Sequence, residues 1–429
     1  MLKNLMLAEE MRQLMEELFP INRSLMGDGV RESLNVLGQH IPIEIKEIPS
    51  GTQVFDWRIP YEWNCRDAYV KNADGTRVID FQKNNLHVVG YSEPIEGVFS
   101  LDELKPYLHT RPDVPEAIPY LTSYYERRWG FCLSQNQLDS MQPGSYEVKI
   151  DSTLEPGSMS YAELKIPGNS EKEIFLSTYI CHPSMANNEL SGPVTTTYLA
   201  EWLLNNKNNH YSYRILFVPE TIGAIAYLSN HIEEMKNKII AGYVVNCVGG
   251  PGIPTYVQTR SQNTLVDKVT SHVLANCGED YRLLPYARRG SDERQFNAPG
   301  VDLPVGSLVR TLFGDYPEYH TSLDNLDFVT GDQLLASLKI YKKCIQAIEN
   351  NARYRVTTIC EPQLGKRGLY PTIGGQYNIA EVMKVANGLI GYCDGEHDLI
   401  DIAEIHDLPI WDFYETVDDF VSHGLLEKV

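Results

Sequence analysis

The residues best placed to do chemistry are two histidines and two glutamates in three separate polar breaks. His182 and Glu189 lie in CHPSMANNELSG, residues 181–192, directly after the apolar run EIFLSTYI. Glu220 ends the run YRILFV as Pro219-Glu220-Thr221, and His320 falls in YPEYHTSLDN. A neutral imidazole and a carboxylate converging at a strand end suit zinc, which takes nitrogen and oxygen donors in a tetrahedral set. A carboxylate directly after a buried strand is partly desolvated, which raises its pKa and suits a general base. Ser322 and Asp324, just beyond His320, are placed to orient its imidazole through the second nitrogen. Each fragment also has a plainer reading. Asn187, Asn188 and Glu189 before Ser191-Gly192 would serve to cap a strand-to-helix loop. Glu220 would sit well against the dipole of a following helix, and a lone loop histidine is ordinarily just solvated.

The elements that must position these groups are legible over residues 174–246. EIFLSTYI, YRILFV and IIAGYVVN are short apolar runs rich in β-branched and aromatic residues. Between them, VTTTYLAEWLLNN and AIAYLSNHIEEM carry helical periodicity. Strands alternating with helices imply right-handed crossovers and a largely parallel sheet, with ligands held beyond the carboxyl ends of its strands. NTLVDKVTSHVLANC and DQLLASLKIYKKCIQAIEN extend this layer to about residue 350. Residues 56–135 are rich in Trp, Tyr and Pro, and Asp74-Gly75 between RDAYVKN and TRVIDF is a hairpin signal. They read as a β-rich unit inserted into an α/β domain made of residues 1–55 and 136–350. After a Gly/Pro-containing linker, LGKRGLYPTIGG, residues 351–429 read as three helices with a strand-like tail, a winged-helix pattern.

Bulk properties narrow the function classes. The 429 residues carry a formal charge of −20, which argues against binding nucleic acid through bulk electrostatics. The segment DFYETVDDF, where a recognition helix would lie, is itself acidic, so Trp411 and Phe413 are expected to contact the α/β domain or another subunit. The eight cysteines are scattered, without a CxxC pair, and read as buried thiols. No apolar run reaches membrane-spanning length, and the N-terminal stretch reads as an amphipathic helix. A cytoplasmic protein is expected, with a homo-oligomer among its plausible states.

The ordered fragments resemble the zinc aminopeptidase fold shared by bacterial leucyl aminopeptidases and glutamate carboxypeptidases. That pattern runs through a strand-ending His, an (N/D)-D-x-x-S-G loop, a Glu-Glu strand end, an Asp-ended strand, a Ser-Asp-His loop and a final Tyr-His-Thr. This chain has His182, NNELSG, VPETIG, VVNCVGG, GSDERQF and YHTSLDN in the same order. The whole chain is more specifically similar to an aminopeptidase-like family with an inserted β-rich domain and a C-terminal winged helix. That family often accompanies polysaccharide or secondary-metabolite biosynthesis. The resemblance implies a mixed, largely parallel α/β sheet and a hydrolase of a terminal amide in a small peptide or aminoacyl conjugate.

The departures shape the expected site. The family's metal-bridging Asp falls on Asn188, the second Glu of its pair on Thr221, its next Asp near Asn246 or Cys247, and the His of Ser-Asp-His on Glu293. Two zinc ions need several anionic ligands, so one ion is expected. The resemblance implies His182, Glu189 and His320 as its ligands and Glu220 as the base. Asn188 is the substitute should Glu189 point away. Asp292, Cys247 and Arg289 remain candidates for substrate contact or for support of the ligands. Arg288, Arg289 and Arg310 could bind a substrate carboxylate or pair with nearby acids, whereas Arg294 is expected to pair with acids. The lost ligands also motivate a rival reading, a non-catalytic binding or scaffold protein. A weaker third is an acidic winged-helix regulator that senses a ligand.

Overall fold

In the computed structural model, which describes residues 2–369 and 379–429, the runs around the candidate site become the parallel heart of a mixed sheet. Its strands are β1 (Glu44–Pro49), β2 (Ser158–Ile166), β3 (Ser170–Tyr179), β4 (Tyr211–Val218), β5 (Ile239–Val244), β6 (Thr255–Val257), β7 (Arg282–Leu284) and β8 (Val305–Val309). They lie in the order β1-β2-β4-β3-β5-β8-β6-β7. Neighbours from β4 through β3 and β5 to β8 are parallel, while β1, β2 and β6 join antiparallel. From Ile174 to Tyr179, β3 is wholly buried, as a parallel strand covered on both faces must be.

The crossovers decide where a site can form. Helix α3 (Ser191–Asn205) links β3 to β4 on one side, and α4 (Ile222–Lys238) links β4 to β5 on the other. The connections therefore diverge at β3, and a crevice opens beyond its carboxyl end. Close packing there requires Gly192 at the start of α3, because a Cβ would meet the Val245 carbonyl oxygen at 2.4 Å. The N-terminal helix α1 (Leu2–Leu18) buries Ala8, Met11, Leu14, Met15 and Leu18 and packs on α3, and α2 (Asp28–Leu37) follows it in the chain. No helix among the described residues is long and apolar enough to cross a membrane.

The β-rich stretch forms an antiparallel sheet in the order Arg77–Asp80, Glu62–Lys71, Ser145–Glu155, Ile95–Ser100. Its hairpin turns at Asp74-Gly75, where Gly75 takes a φ of 84° and donates its N–H to Asn72 O. The strand Ser145–Glu155 comes from beyond residue 135, because the sheet needs it to pair with both neighbours. One apolar cluster runs from Trp63, Val70 and Val148 to Phe175, Leu216 and Val218. With the core shared in this way, residues 1–264 and 282–339 form one compact unit.

Residues 265–281 and 340–429 form a second unit. Helices Ile379–Tyr392, Leu399–Ile405 and Tyr414–Ser422 accompany a sheet ordered Asp394–Asp398, Arg353–Val356, Leu426–Lys428, the expected winged-helix arrangement. The linker read from the sequence falls partly on residues 370–378, outside the described residues. Helix α5 (Leu265–Ala275) belongs to this unit: Lys268 Nζ pairs with Asp398 at 2.7 Å, and His272 Nε2 accepts from Ile410 N at 2.9 Å. Trp411 and Phe413 are accounted for here as well. Lys343 Nζ lies 4.2 Å over the Trp411 ring, and Phe413 is buried.

Candidate active site

The carboxyl ends of three parallel strands, β3, β4 and β5, and the loops around them build the site. Beyond β3 the chain runs Ile180-Cys181-His182, and beyond β4 it runs Pro219-Glu220. The two ends are tied together, since Ile180 N donates to Val218 O at 2.9 Å and Glu220 N donates to Cys181 Sγ at 3.2 Å. His182 is buried, with Nε2 3.6 Å from Glu220 Oε2 and Nδ1 2.8 Å from Glu189 Oε2. The imidazole thus has a carboxylate on each edge. Burial opposes its charge, but Cys181 and Glu189 raise its pKa well above the usual value. Burial likewise raises Glu220, partly offset by the charges on His182 and Arg294.

Glu189 comes from a π-helical turn, Ala186–Leu190, inserted ahead of α3. Such turns re-aim side chains and are frequent at functional sites. The turn is held from outside. Asp324 accepts from the backbone N–H groups of Asn187 and Asn188, and Asn187 Oδ1 accepts from Gly249 N and Gly250 N. This corrects the expectation that Asp324 orients His320, because both its oxygens serve the turn. Ser322 Oγ also looks elsewhere, accepting from Ile118 N at 3.0 Å. His320 instead places Nε2 3.0 Å from Asn188 Oδ1, with Tyr319 stacked on its ring at 4.0 Å. Burial, then the charge of His182, lowers the pKa of His320 to about 3.

Behind Glu220 runs a polar chain. Asn246 Nδ2 donates to Ser291 Oγ at 2.7 Å, and Ser291 Oγ donates to Glu220 Oε1 at 3.4 Å. Asp292 is buried with Oδ1 accepting from Thr221 N at 2.7 Å, and burial and then Glu220 raise its pKa well above the usual range. Glu293 accepts from Gly290 N and Ser291 N, so it holds that turn. Three non-glycine residues here take left-handed backbone: Thr221 (φ 63°), Cys247 (φ 48°) and His320 (φ 55°). Strained backbone of this kind persists only where surrounding packing enforces it, and it clusters at functional sites.

The remaining expected residues are also placed. Cys247 packs with Val257, Val309 and Leu312, and burial pushes its thiol up. Arg289 is exposed, its guanidinium 4.8 Å from the Tyr286 ring centroid, and Arg288 pairs with Asp315 at 3.0 Å. Arg310 Nε donates to Ser337 Oγ at 3.1 Å. Arg294, expected to pair with acids, donates to Thr221 Oγ1 and Ser291 O.

Four residues join the site that the sequence reading did not select. Arg23, fully buried, donates through Nε to His182 O at 2.8 Å and lies 3.6 Å from Glu189 Oε1. Tyr120 arrives from the β-rich stretch, with its ring centroid 5.2 Å from those of both His182 and His320. It is anchored because its N–H donates to His320 O at 2.8 Å. Tyr179 donates its hydroxyl to Asn188 O, and Cys181 lies with Sγ 3.5 Å from His182 Nδ1. Their only sequence signal was proximity to motif residues for Tyr179 and Cys181. Arg23 and Tyr120 had none.

Could this set hold zinc? Glu189 occupies the Nδ1 edge of His182 and faces Arg23, so it orients the imidazole instead of sharing an ion with Nε2. Among the described residues, Cys181, His182 and Glu189 are the cluster of such donors close enough to share an ion. An ion there would stand beside the Arg23 guanidinium, and burial pushes the Cys181 thiol up to about 11, away from the thiolate a metal needs. On the opposite edge stand His182 Nε2, Asn188 Oδ1 and His320 Nε2, with Glu220 alongside. Two imidazoles, an amide oxygen and one nearby carboxylate fit a single zinc ion by donor chemistry. They do not supply the anions that two would need.

Comparison with known proteins follows the same lines. Residues 12–351 match the family described as Domain of unknown function (DUF4910), and residues 352–428 match a winged helix-turn-helix family. A Clostridium acetobutylicum protein named "Putative polysaccharide biosynthesis protein with aminopeptidase-like domain" is 49% identical over 395 residues, spanning 92% of this chain and 90% of that protein. A crystal structure of a "putative peptidase" from Clostridium acetobutylicum matches with a TM-score of 0.93 and 46% identity, over 98% of this chain and 96% of that one. A zinc aminopeptidase from Bacillus subtilis, 12% identical, matches with a TM-score of 0.57 over 80% of this chain and 95% of its own. At that identity the likeness establishes fold alone, an aminopeptidase-like mixed α/β sheet.

Proposed function

Because the chain belongs to the family described as Domain of unknown function (DUF4910), and its α/β unit has the aminopeptidase-like fold, we propose that it is a zinc-dependent hydrolase of a terminal amide in a small peptide or aminoacyl conjugate. The observation that carries this reading is the pairing at the crevice. His182 turns Nε2 toward Glu220 at 3.6 Å while Glu189 fixes its other nitrogen at 2.8 Å. His182 Nε2 and His320 Nε2, with Asn188 Oδ1 as the third donor, would hold one zinc ion. When bound, it would supply Lewis acidity for a scissile carbonyl.

The protein's own groups do the rest. Glu220 is 22% exposed on its side chain, raised in pKa and braced by Ser291. It takes a proton from the attacking water and returns it to the leaving amine, work that suits a carboxylate tuned toward neutral pH. Tyr120 and Tyr179 wall the imidazoles, keep bulk water away and so strengthen these interactions. A peptide-like small molecule, and not nucleic acid, is the proposed partner, and the net charge of −20 favours that choice.

A panel of aminoacyl amides and dipeptides tests the reading. Turnover by the wild-type protein, lost in a Glu220→Ala variant that keeps its zinc, is expected. Asn188, Thr221 and Glu293 at positions where aminopeptidases resembling this chain carry metal ligands favour a second reading, a non-catalytic binding protein. That reading predicts ligand binding without turnover of any member of the panel.

A further inference from the structure

The hydrolase reading leaves unexplained an open cavity of about 350 Å³ on the β-rich side of the same unit. Its walls include Tyr61, Tyr124 and Tyr125, and its polar groups come from Arg58, Glu126 and Arg127. The tyrosines are unusually uncovered for aromatic residues: Tyr61 is 48%, Tyr124 37% and Tyr125 52% exposed. Trp57, 41% exposed, extends the aromatic surface with its ring 6.2 Å from that of Tyr125. Exposed aromatic surface in a concave setting marks a binding site more often than a packing defect.

The cavity is joined to the crevice through one residue. Tyr124 also lines a small inner cavity with Tyr120 and Pro183, the neighbours of His182. Its phenol is close enough to feel the charges of His182 and Glu220. Tyr124 reaches this double position through left-handed backbone, φ 47°, a conformation that costs energy in a bulky residue. Tyr125 is fixed beside it, its hydroxyl donating to Arg58 O at 2.9 Å.

We propose that this cavity is a glycosyl subsite, so that the amide-bearing substrate carries a sugar ring stacked on Tyr61 and Tyr125. This assignment rests on the hydrolase reading only for the amide. A sugar ring has an apolar C–H face and a belt of hydroxyls that both donate and accept. The cavity offers flat aromatic faces, two guanidinium donors and a carboxylate acceptor, which match that belt in both senses. A phenyl side chain would fill the same space but make no use of the polar rim of Arg58, Glu126 and Arg127, where Arg127 pairs with Glu93 at 2.7 Å and Glu126 with Arg128 at 3.6 Å.

Binding of the full-length protein is measured by ligand-observed NMR, without need of turnover. The probes are neutral and N-acetylated hexoses, uronic acids, deoxyhexoses and their disaccharides, with L-phenylalaninamide as the aromatic comparison. Saturable binding of at least one sugar is expected, weakened about tenfold by Tyr61→Ala or Tyr125→Ala and largely restored by Tyr125→Phe, which keeps the ring. Both tyrosines are exposed, and circular dichroism checks that each variant is folded. No saturable sugar binding, sugar binding indifferent to both alanine variants, or displacement of bound sugar from the tyrosines by L-phenylalaninamide at lower concentration overturns the assignment. Sugar binding by a protein that turns over no amide would leave the subsite standing and overturn the hydrolase reading alone.

Discussion

At the scale of single residues, the proposed chemistry depends on which edge of His182 each carboxylate takes. Glu220 works at Nε2 and Glu189 at Nδ1, so their substitutions should separate. Glu220→Ala is expected to lower kcat by about 10²–10⁴-fold with zinc content unchanged, the usual range for a lost general base. Glu189→Ala should instead weaken zinc by about 10–100-fold, because it removes the carboxylate that orients His182, the proposed zinc ligand. Steady-state kinetics and metal titration of both variants check this split. His182, Glu220 and His320 were legible in the sequence because each closes or follows a recognisable run. The facing of Glu189 was not, because a π-helical turn shifts side chains off the ordinary loop pattern. Nor was Arg23: its bond to His182 O spans 159 residues, and a buried guanidinium has no local signature.

At the scale of elements, the site is a turn held by distant loops. Asp324 accepts two backbone N–H groups of the Ala186–Leu190 turn. Asp324→Ala strips both of their partner and should cost about 1–3 kcal/mol for each group left unsatisfied. Hydrogen exchange should then rise at residues 186–190 first. Gly192→Ala tests the packing of α3, since the added methyl would meet Val245 O, and overpacking of this kind costs about 1–3 kcal/mol in thermal unfolding. The parallel strands and their crossovers were legible from alternating apolar runs and helical periods. The pairing of the β-rich stretch with Ser145–Glu155, and the delivery of Tyr120 to the histidines, follow from long-range packing that no local pattern records.

At the scale of the whole molecule, the sequence places a boundary at residue 351, where the two family matches also meet, and by compactness residues 265–281 join residues 340–429 in one unit. Deleting residues 351–429 would strip Lys268 of Asp398 and Asp401, and His272 of Ile410 N. The truncated protein is therefore expected to melt at a lower temperature than the full chain or to aggregate, as scanning calorimetry would show. Acid stability is set elsewhere, at Arg214, which is buried and pairs with Glu173 and Glu234. The hydrogen bond to Arg214 holds Glu234 at about 2, below its usual 4.5. A carboxylate depressed in the folded state stabilises above its unfolded pKa and loses that contribution as pH falls toward its folded one. Unfolding followed from pH 4.5 down to about 2 should therefore be less steep in Glu234→Gln, with a modest change because the side chain is 35% exposed.

The most direct test of the central claim is a crystal structure of the zinc-loaded protein with anomalous scattering recorded at the zinc edge. One ion on His182 Nε2 and His320 Nε2, with Glu189 still bonded to Nδ1, is the predicted result. Two ions, an ion among Cys181, His182 and Glu189, or no ion at saturating zinc would contradict it.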